Sequence, residues 1–449
     1  MIDKHNNPWL GLSSYQTSDS FRFFGREREM EEIGASIKDN YCTILYGVSG
    51  AGKTSIINAG LCPKLSAEGY LPITIRLDHN GQSYSDQIIS ACFHTFEQTE
   101  TEYECPFDAA QIQSLDARDA LWIFFHASTF WSKDNRKIVP VLFIDQFEEI
   151  FTLTGSEDQT ISFFQQIDSL FGSVPSDRLI LQLESSNTSF DFSETPQFRM
   201  VLSMREDFLA RLEDYCYNLP ILRRNRIGLR KMNGFQALDV IMKPQRGLVA
   251  EDVALKIVST VTGKDCSSNR TNLQMLSVDT SILSLFCSEL YQLSAEKNAG
   301  VITSDIVETE GGDIIKRFYE KNVSKLPRRG RRYLEQHLLT SGGFRNQLAV
   351  EGINRALITE SDIQALESSR IIRKEIINGT ERIEFTHDIL CKAAMESIRK
   401  DKKRGQLTTS IISYISFAFL TLFMSSGITN LFIAISDFGY VFTSTDNSL

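Results

Sequence analysis

The stretch TILYGVSGAGKTSIINAG, Thr43 to Gly60, decides the fold. Its β-branched and aromatic residues predict a strand, its glycines a tight loop, and the residues after Lys53 a helix that Pro63 should stop. Gly47, Gly52, Lys53 and Thr54 satisfy GxxxxGK[ST] between a strand and a helix, the context in which that pattern has a mechanism. Glycines let backbone N–H groups turn inward around phosphate oxygens, Lys53 reaches the β- and γ-phosphates, and the Thr54 hydroxyl can bind Mg2+. The helix N-terminus adds partial positive charge. The expected cradle comprises Gly47, Ser49, Gly50, Ala51, Gly52, Lys53, Thr54 and Ser55, with ATP or ADP and Mg2+ as its ligands.

Such a loop needs an acidic residue at the end of a neighbouring strand. VPVLFIDQFEEIF (139–151) supplies Asp145, placed to orient a metal-bound water beside Thr54, while Glu148 or Glu149 can polarise the attacking water. Both glutamates also suit the first turn of a helix, where carboxylates are favoured anyway. VLSMREDFLARL (201–212) puts Arg205 at the carboxyl edge of a further strand, the edge where open α/β sheets bind ligands. There it can sense a γ-phosphate or pair with Glu206 or Asp207.

Further strands are expected at 71–77, 139–145 and 199–204 with helices between them, which implies a parallel sheet covered on both faces. The polar, turn-rich residues before Arg199 read as a loop. From about residue 226 helical patterns take over, and SRIIRKEIINGTERIEFTHDILCKAA (369–394) offers a hairpin around Asn378-Gly379 followed by a helix. The expected organisation is an N-terminal segment (1–36), a P-loop domain (37–225), a helical lid (226–324), a winged helix (325–404) and a basic cluster with an apolar tail (405–449). The chain of 449 residues carries a net charge of −10 and a pI near 5.3, so no nucleic-acid partner is expected. Its eight cysteines are scattered singly, without zinc or disulfide spacing.

Assembled, these blocks resemble the STAND group of signal-transduction ATPases, within the wider AAA+/STAND type, and specifically its novel STAND branch. The resemblance begins at NPWLGLSSYQTSDSFRFFGREREMEEI (7–33) and runs through the P-loop, DQFEEIF, MREDFLARL, NRIGLRKM and IMKPQRG. It ends at THDILCKA (386–393). It implies that Gly25, Arg26 and Pro244 flank the adenine and that His387 contacts the β-phosphate of ADP in a closed resting state. It also implies a slow ATPase switch that forms a homo-oligomer when a trigger admits ATP, in bacterial stress or antiphage defence. A membrane-remodelling AAA-type ATPase and a nucleotide-gated membrane adaptor are the competing readings.

The tail decides where the switch is expected to act. Residues 407–436 contain no charge and follow RKDKKRG (399–405), with no Lys or Arg after them. A run longer than the ~20 apolar residues that cross a bilayer predicts one tilted transmembrane helix or two shorter segments. The basic flank places the globular part on the cytoplasmic face of the inner membrane. No cleavable secretory signal precedes it. With few residues before the P-loop domain and few after the tail, the tail itself is the expected output, as anchor or as membrane-disrupting effector.

Overall fold

The computed structural model describes residues 7–77, 82–105, 117–152, 157–172, 180, 198–216, 219–265, 270–340, 342–377, 380–386 and 390–400. They fall into two units, Met1–Arg317 with Arg373–Glu381, and Phe318–Ile372 with Arg382–Leu449.

The first unit is built on a sheet whose parallel strands are β1 (Cys42–Gly47), β2 (Tyr70–Ile75), β5 (Lys137–Ile144), β6 (Arg199–Arg205) and β7 (Arg226–Gly228). Their spatial order is β2-β5-β6-β1-β7. Two short strands, β3 (Glu102–Glu104) and β4 (Thr129–Trp131), add an antiparallel flank at the start of β5. The central strands alternate between two cores because helices cover both faces. Ile44, Leu142 and Leu202 face the cluster that includes Ile88, Phe124 and Phe163, while Leu45, Val141, Phe143 and Val201 face Ile33, Ile57 and Leu61. Register then fixes the functional edge. Gly47 lies opposite Arg205, and Ile144 opposite Leu202, so Asp145 follows at the level of Ser203.

The P-loop helix begins at Lys53 and does not stop at Pro63. It continues to Ala67 through a π-helical stretch, Ile56–Leu61, with Pro63 in the first turn of the α-helical segment that follows. Proline lacks an N–H and its ring crowds the carbonyl of the previous turn, and the change from π to α hydrogen bonding just before Pro63 puts it in a first turn, where proline is tolerated.

Helices Gly234–Met242, Glu251–Thr262, Thr280–Glu296 and most of Ser304–Val323 complete this unit. In the second unit, helices Arg328–His337 and Glu360–Ser368 accompany β8 (Leu348–Ala349), which pairs antiparallel with the Arg382–Ile383 part of β10 (Thr380–Phe385), while all of β9 (Ile372–Ile377) but its first residue is counted with the first unit. The strands expected around Asn378-Gly379 are β9 and β10; the turn itself lies outside the described residues.

The C-terminal transmembrane segment is corrected. No helix among the described residues is long and apolar enough to cross a membrane. Thr280–Glu296 has 17 residues, short of the ~20 required, and the 20-residue Ser304–Val323 is interrupted by acidic and basic side chains along its length. The run 407–436 lies outside the described residues. The fold is an α/β P-loop fold with a parallel sheet, and the placement on the cytoplasmic face of the inner membrane, with a membrane as partner, falls with the span.

Candidate functional site

The site is assembled at the carboxyl edge of β1, β5 and β6. Gly47 ends β1 so close to Leu229 that a Cβ would lie 2.5 Å from its carbonyl oxygen. Gly50 (φ +80°) and Gly52 (φ +94°) then take the left-handed conformations that give the loop its inward turn. Lys53 Nζ folds back to donate to the carbonyls of Gly47 (2.8 Å) and Val48 (3.2 Å). Burial lowers its pKa, while the negative charges of Glu148 and Asp145 work against that shift.

Asp145 is 7% exposed and accepts one hydrogen bond on each carboxylate oxygen. Thr54 Oγ1 donates to its Oδ2 at 2.6 Å, and Ser203 Oγ to its Oδ1 at 2.7 Å. Ser203, a fully buried hydroxyl on β6, escaped the sequence reading, although a single serine in the apolar run RMVLSM is a visible signal.

After Asp145 the chain turns through Gln146 at φ +55°, and Phe147 N–H donates to the carbonyl of Ser203. This turn separates the two glutamates. Glu148 points inward: its Oε2 accepts the Arg205 backbone N–H at 3.2 Å. Burial raises its pKa above the ordinary carboxyl value, and the charges of Lys53 and Arg205 only partly offset that rise. Glu149 instead pairs with Arg76, whose Nε donates at 2.9 Å.

The Arg205 guanidinium forms a bidentate pair with Asp207, at 3.0 and 2.7 Å, and also donates to the carbonyl of Lys374. Lys374 belongs to the hairpin stretch Arg373–Glu381 of the same unit. Ser49 is exposed, Ala51 is buried, and Ser55 Oγ accepts the backbone N–H of Tyr15 at 3.2 Å.

Arg26 is 2% exposed, and its guanidinium is committed to protein groups. Nη2 donates to the carbonyls of Ala51 (3.0 Å) and Arg230 (2.9 Å), and Nη1 to Glu29 (2.7 Å). Gly25, at φ +82°, sits against helix Gly234–Met242, where a Cβ would meet the Gln236 carbonyl at 2.7 Å. Pro244 follows that helix and is half-buried. His387 lies outside the described residues.

The chain matches the family described as novel STAND NTPase 1 over residues 8–393. It belongs to that family. It is therefore a P-loop nucleoside-triphosphate hydrolase with ATPase activity. No curated protein matches the chain. Among solved structures it is similar to the Walker-type ATPase PABY2304 of Pyrococcus abyssi, at TM-score 0.45 and 13% identity, covering 85% of this chain and 98% of that one. It is also similar to the ORC2 protein of Aeropyrum pernix in its ADPNP-ADP complexes, at TM-score 0.41 and 11% identity, covering 84% and 95%. Cdc6p from Pyrobaculum aerophilum follows at 0.38 and 14%, covering 83% and 94%.

Proposed function

We propose that this STAND NTPase is an ATP/ADP switch with slow turnover, in which Glu148 activates the attacking water. The observation that carries this reading is the convergence of Thr54, Asp145, Lys53 and Glu148 at one sheet edge, with Glu149 diverted to Arg76. Mg2+ suits the site, because the Thr54 hydroxyl and the Asp145 carboxylate are adjacent hard oxygen donors. When bound, it would neutralise charge on the phosphate oxygens.

Glu148 is half-buried and held by the Arg205 N–H, which keeps the carboxylate aimed inward. A carboxylate of raised pKa is the stronger base for a water proton. Lys53, released from the carbonyls of Gly47 and Val48, is placed to meet the phosphates.

A switch needs contacts that differ between two nucleotide states. Arg205 supports that requirement, since its guanidinium is held by Asp207 and the Lys374 carbonyl and is available to a γ-phosphate only when those contacts exchange. The family motif THDILCKA assigns His387, in the winged-helix segment, to the β-phosphate of ADP. Activation then favours open protomers that assemble into a homo-oligomer, in bacterial stress or antiphage defence.

The test is the nucleotide carried by gently purified full-length protein, identified after denaturation, with ATP turnover measured on the same sample. Retained ADP with turnover far below one per second supports the switch. An empty site with rapid turnover supports a working motor and removes it.

A further inference from the structure

The peptide groups Gly50–Ala51 and Ala51–Gly52 of the P-loop each adjoin a glycine, which imposes little preference on how a peptide plane is turned. Something outside the loop must turn them. In a planar trans peptide the C=O and the following N–H point in opposite directions, so holding one aims the other. Both carbonyls are held by distant residues. The carbonyl of Gly50 accepts from Thr280 Oγ1 at 2.5 Å and from Ser281 Oγ at 3.3 Å. That of Ala51 accepts from the buried Arg26 guanidinium at 3.0 Å.

The holders are themselves fixed. Asp279, 5% exposed, caps the helix Thr280–Glu296 by accepting from the N–H groups of Ser281 and Ile282 at 3.2 and 3.3 Å, and Lys231 lies 3.4 Å from its carboxylate. Arg26 is tied through Glu29 to Gln236 Nε2, 2.8 Å from the same carboxylate oxygen. The consequence appears inside the loop. Ala51 N–H points away from the lid and donates to the carbonyl of Val48 at 3.2 Å, the carbonyl that also takes Lys53 Nζ at 3.2 Å. Two donors converge on one oxygen, and a phosphate oxygen can replace it.

We propose that Thr280 and Ser281, together with Arg26, are positioning residues that set the direction of the P-loop N–H groups, so that phosphate binding and lid docking stabilise each other. Displacing the lid frees the Gly50–Ala51 peptide to rotate and weakens the phosphate cradle. By linkage, bound phosphates hold the lid down to the same extent. This inference rests on the P-loop being the phosphate site.

The test is ADP binding by calorimetry to the full chain, to K53A, to the near-isosteric double variant T280V/S281A, and to T280S, which keeps its hydroxyl. The expected result is an ADP affinity about tenfold weaker in T280V/S281A, close to wild type in T280S, with the nucleotide-free melting temperature unchanged. Unaltered ADP affinity in the double variant, or an equal loss in T280S and T280V/S281A, overturns the proposal while leaving the P-loop reading intact. Wild type and K53A binding ADP alike overturns both. Should the double variant melt early, S281A alone is measured the same way: a loss of about threefold supports the proposal, and none overturns it.

Discussion

At the scale of single residues, two neighbouring glutamates of the same composition acquire opposite chemistry because one turn, at Gln146, aims one inward and the other at Arg76. E148Q is expected to lower ATP turnover by roughly a hundredfold or more, the usual worth of a positioned base, while E149Q stays within about threefold. Steady-state phosphate release separates the two. The same substitution makes a stability prediction. Glu148 has a folded-state pKa above its unfolded value, so the folded state holds its proton longer, and stability falls as pH rises through the interval between the two values. Above that interval the charged, half-buried carboxylate carries its full penalty, and below the unfolded value it carries none. E148Q should therefore raise the melting temperature at pH 8, with the gain shrinking as the pH is lowered through the unfolded-state carboxyl range. A gain that grows on acidification contradicts the assignment.

At the scale of elements, the stretch Gly25-Arg26-Glu27 docks on helix Gly234–Met242 at a position, Gly25, that tolerates no side chain. Gly25 combines φ +82° with a Cβ position 2.7 Å from the Gln236 carbonyl and 2.9 Å from Val240 Cγ2. Trp9 adds a hydrogen bond from its indole N–H to the Val240 carbonyl at 2.9 Å. G25A is expected to destabilise the first unit by about 2–3 kcal/mol through strain and displacement of this helix. Urea unfolding followed by circular dichroism measures it, and a change under about 0.5 kcal/mol would mean that the segment packs differently. The helix carries its own support, a reciprocal capping box between Asn233 and Gln236, so the loss belongs to docking rather than to helix formation.

At the scale of the whole molecule, each unit carries its own interior. The second contains a buried polar centre: Glu335, 2% exposed, accepts from Tyr319 Oη at 3.0 Å, Arg331 Nε at 3.0 Å and Ser397 Oγ at 2.7 Å. Removing that carboxylate leaves three donors without their acceptor, so E335A is expected to destabilise the second unit by about 2–3 kcal/mol. ADP at about a hundred times its dissociation constant should stabilise the first unit by about 2.7 kcal/mol. In a calorimetric scan the two effects should move different transitions; one transition moved by both would reveal a single cooperative block.

The amino-acid sequence by itself determined the strand-loop-helix at Thr43–Gly60, the strands that became β2, β5 and β6, and Asp145 at the end of its strand. These are local signals, in which apolar runs and glycine spacing carry the physics within a dozen residues. It left β7 unread, because Arg226–Gly228 has a single strongly apolar residue and is a strand only through pairing with β1. It also could not choose between Glu148 and Glu149, since they are adjacent at the start of the same helix and only a turn with positive φ aims them apart. The guanidinium of Arg26 reaches the carbonyls of Ala51 and Arg230, partners that no local pattern names. The hydroxyls of Thr280 and Ser281 carried no motif at all, because their partner Gly50 is 230 and 231 positions away. What only the tertiary structure decided are these long-range hydrogen bonds: their partners are chosen by how helices pack on a sheet, and no local pattern of residue types records that choice.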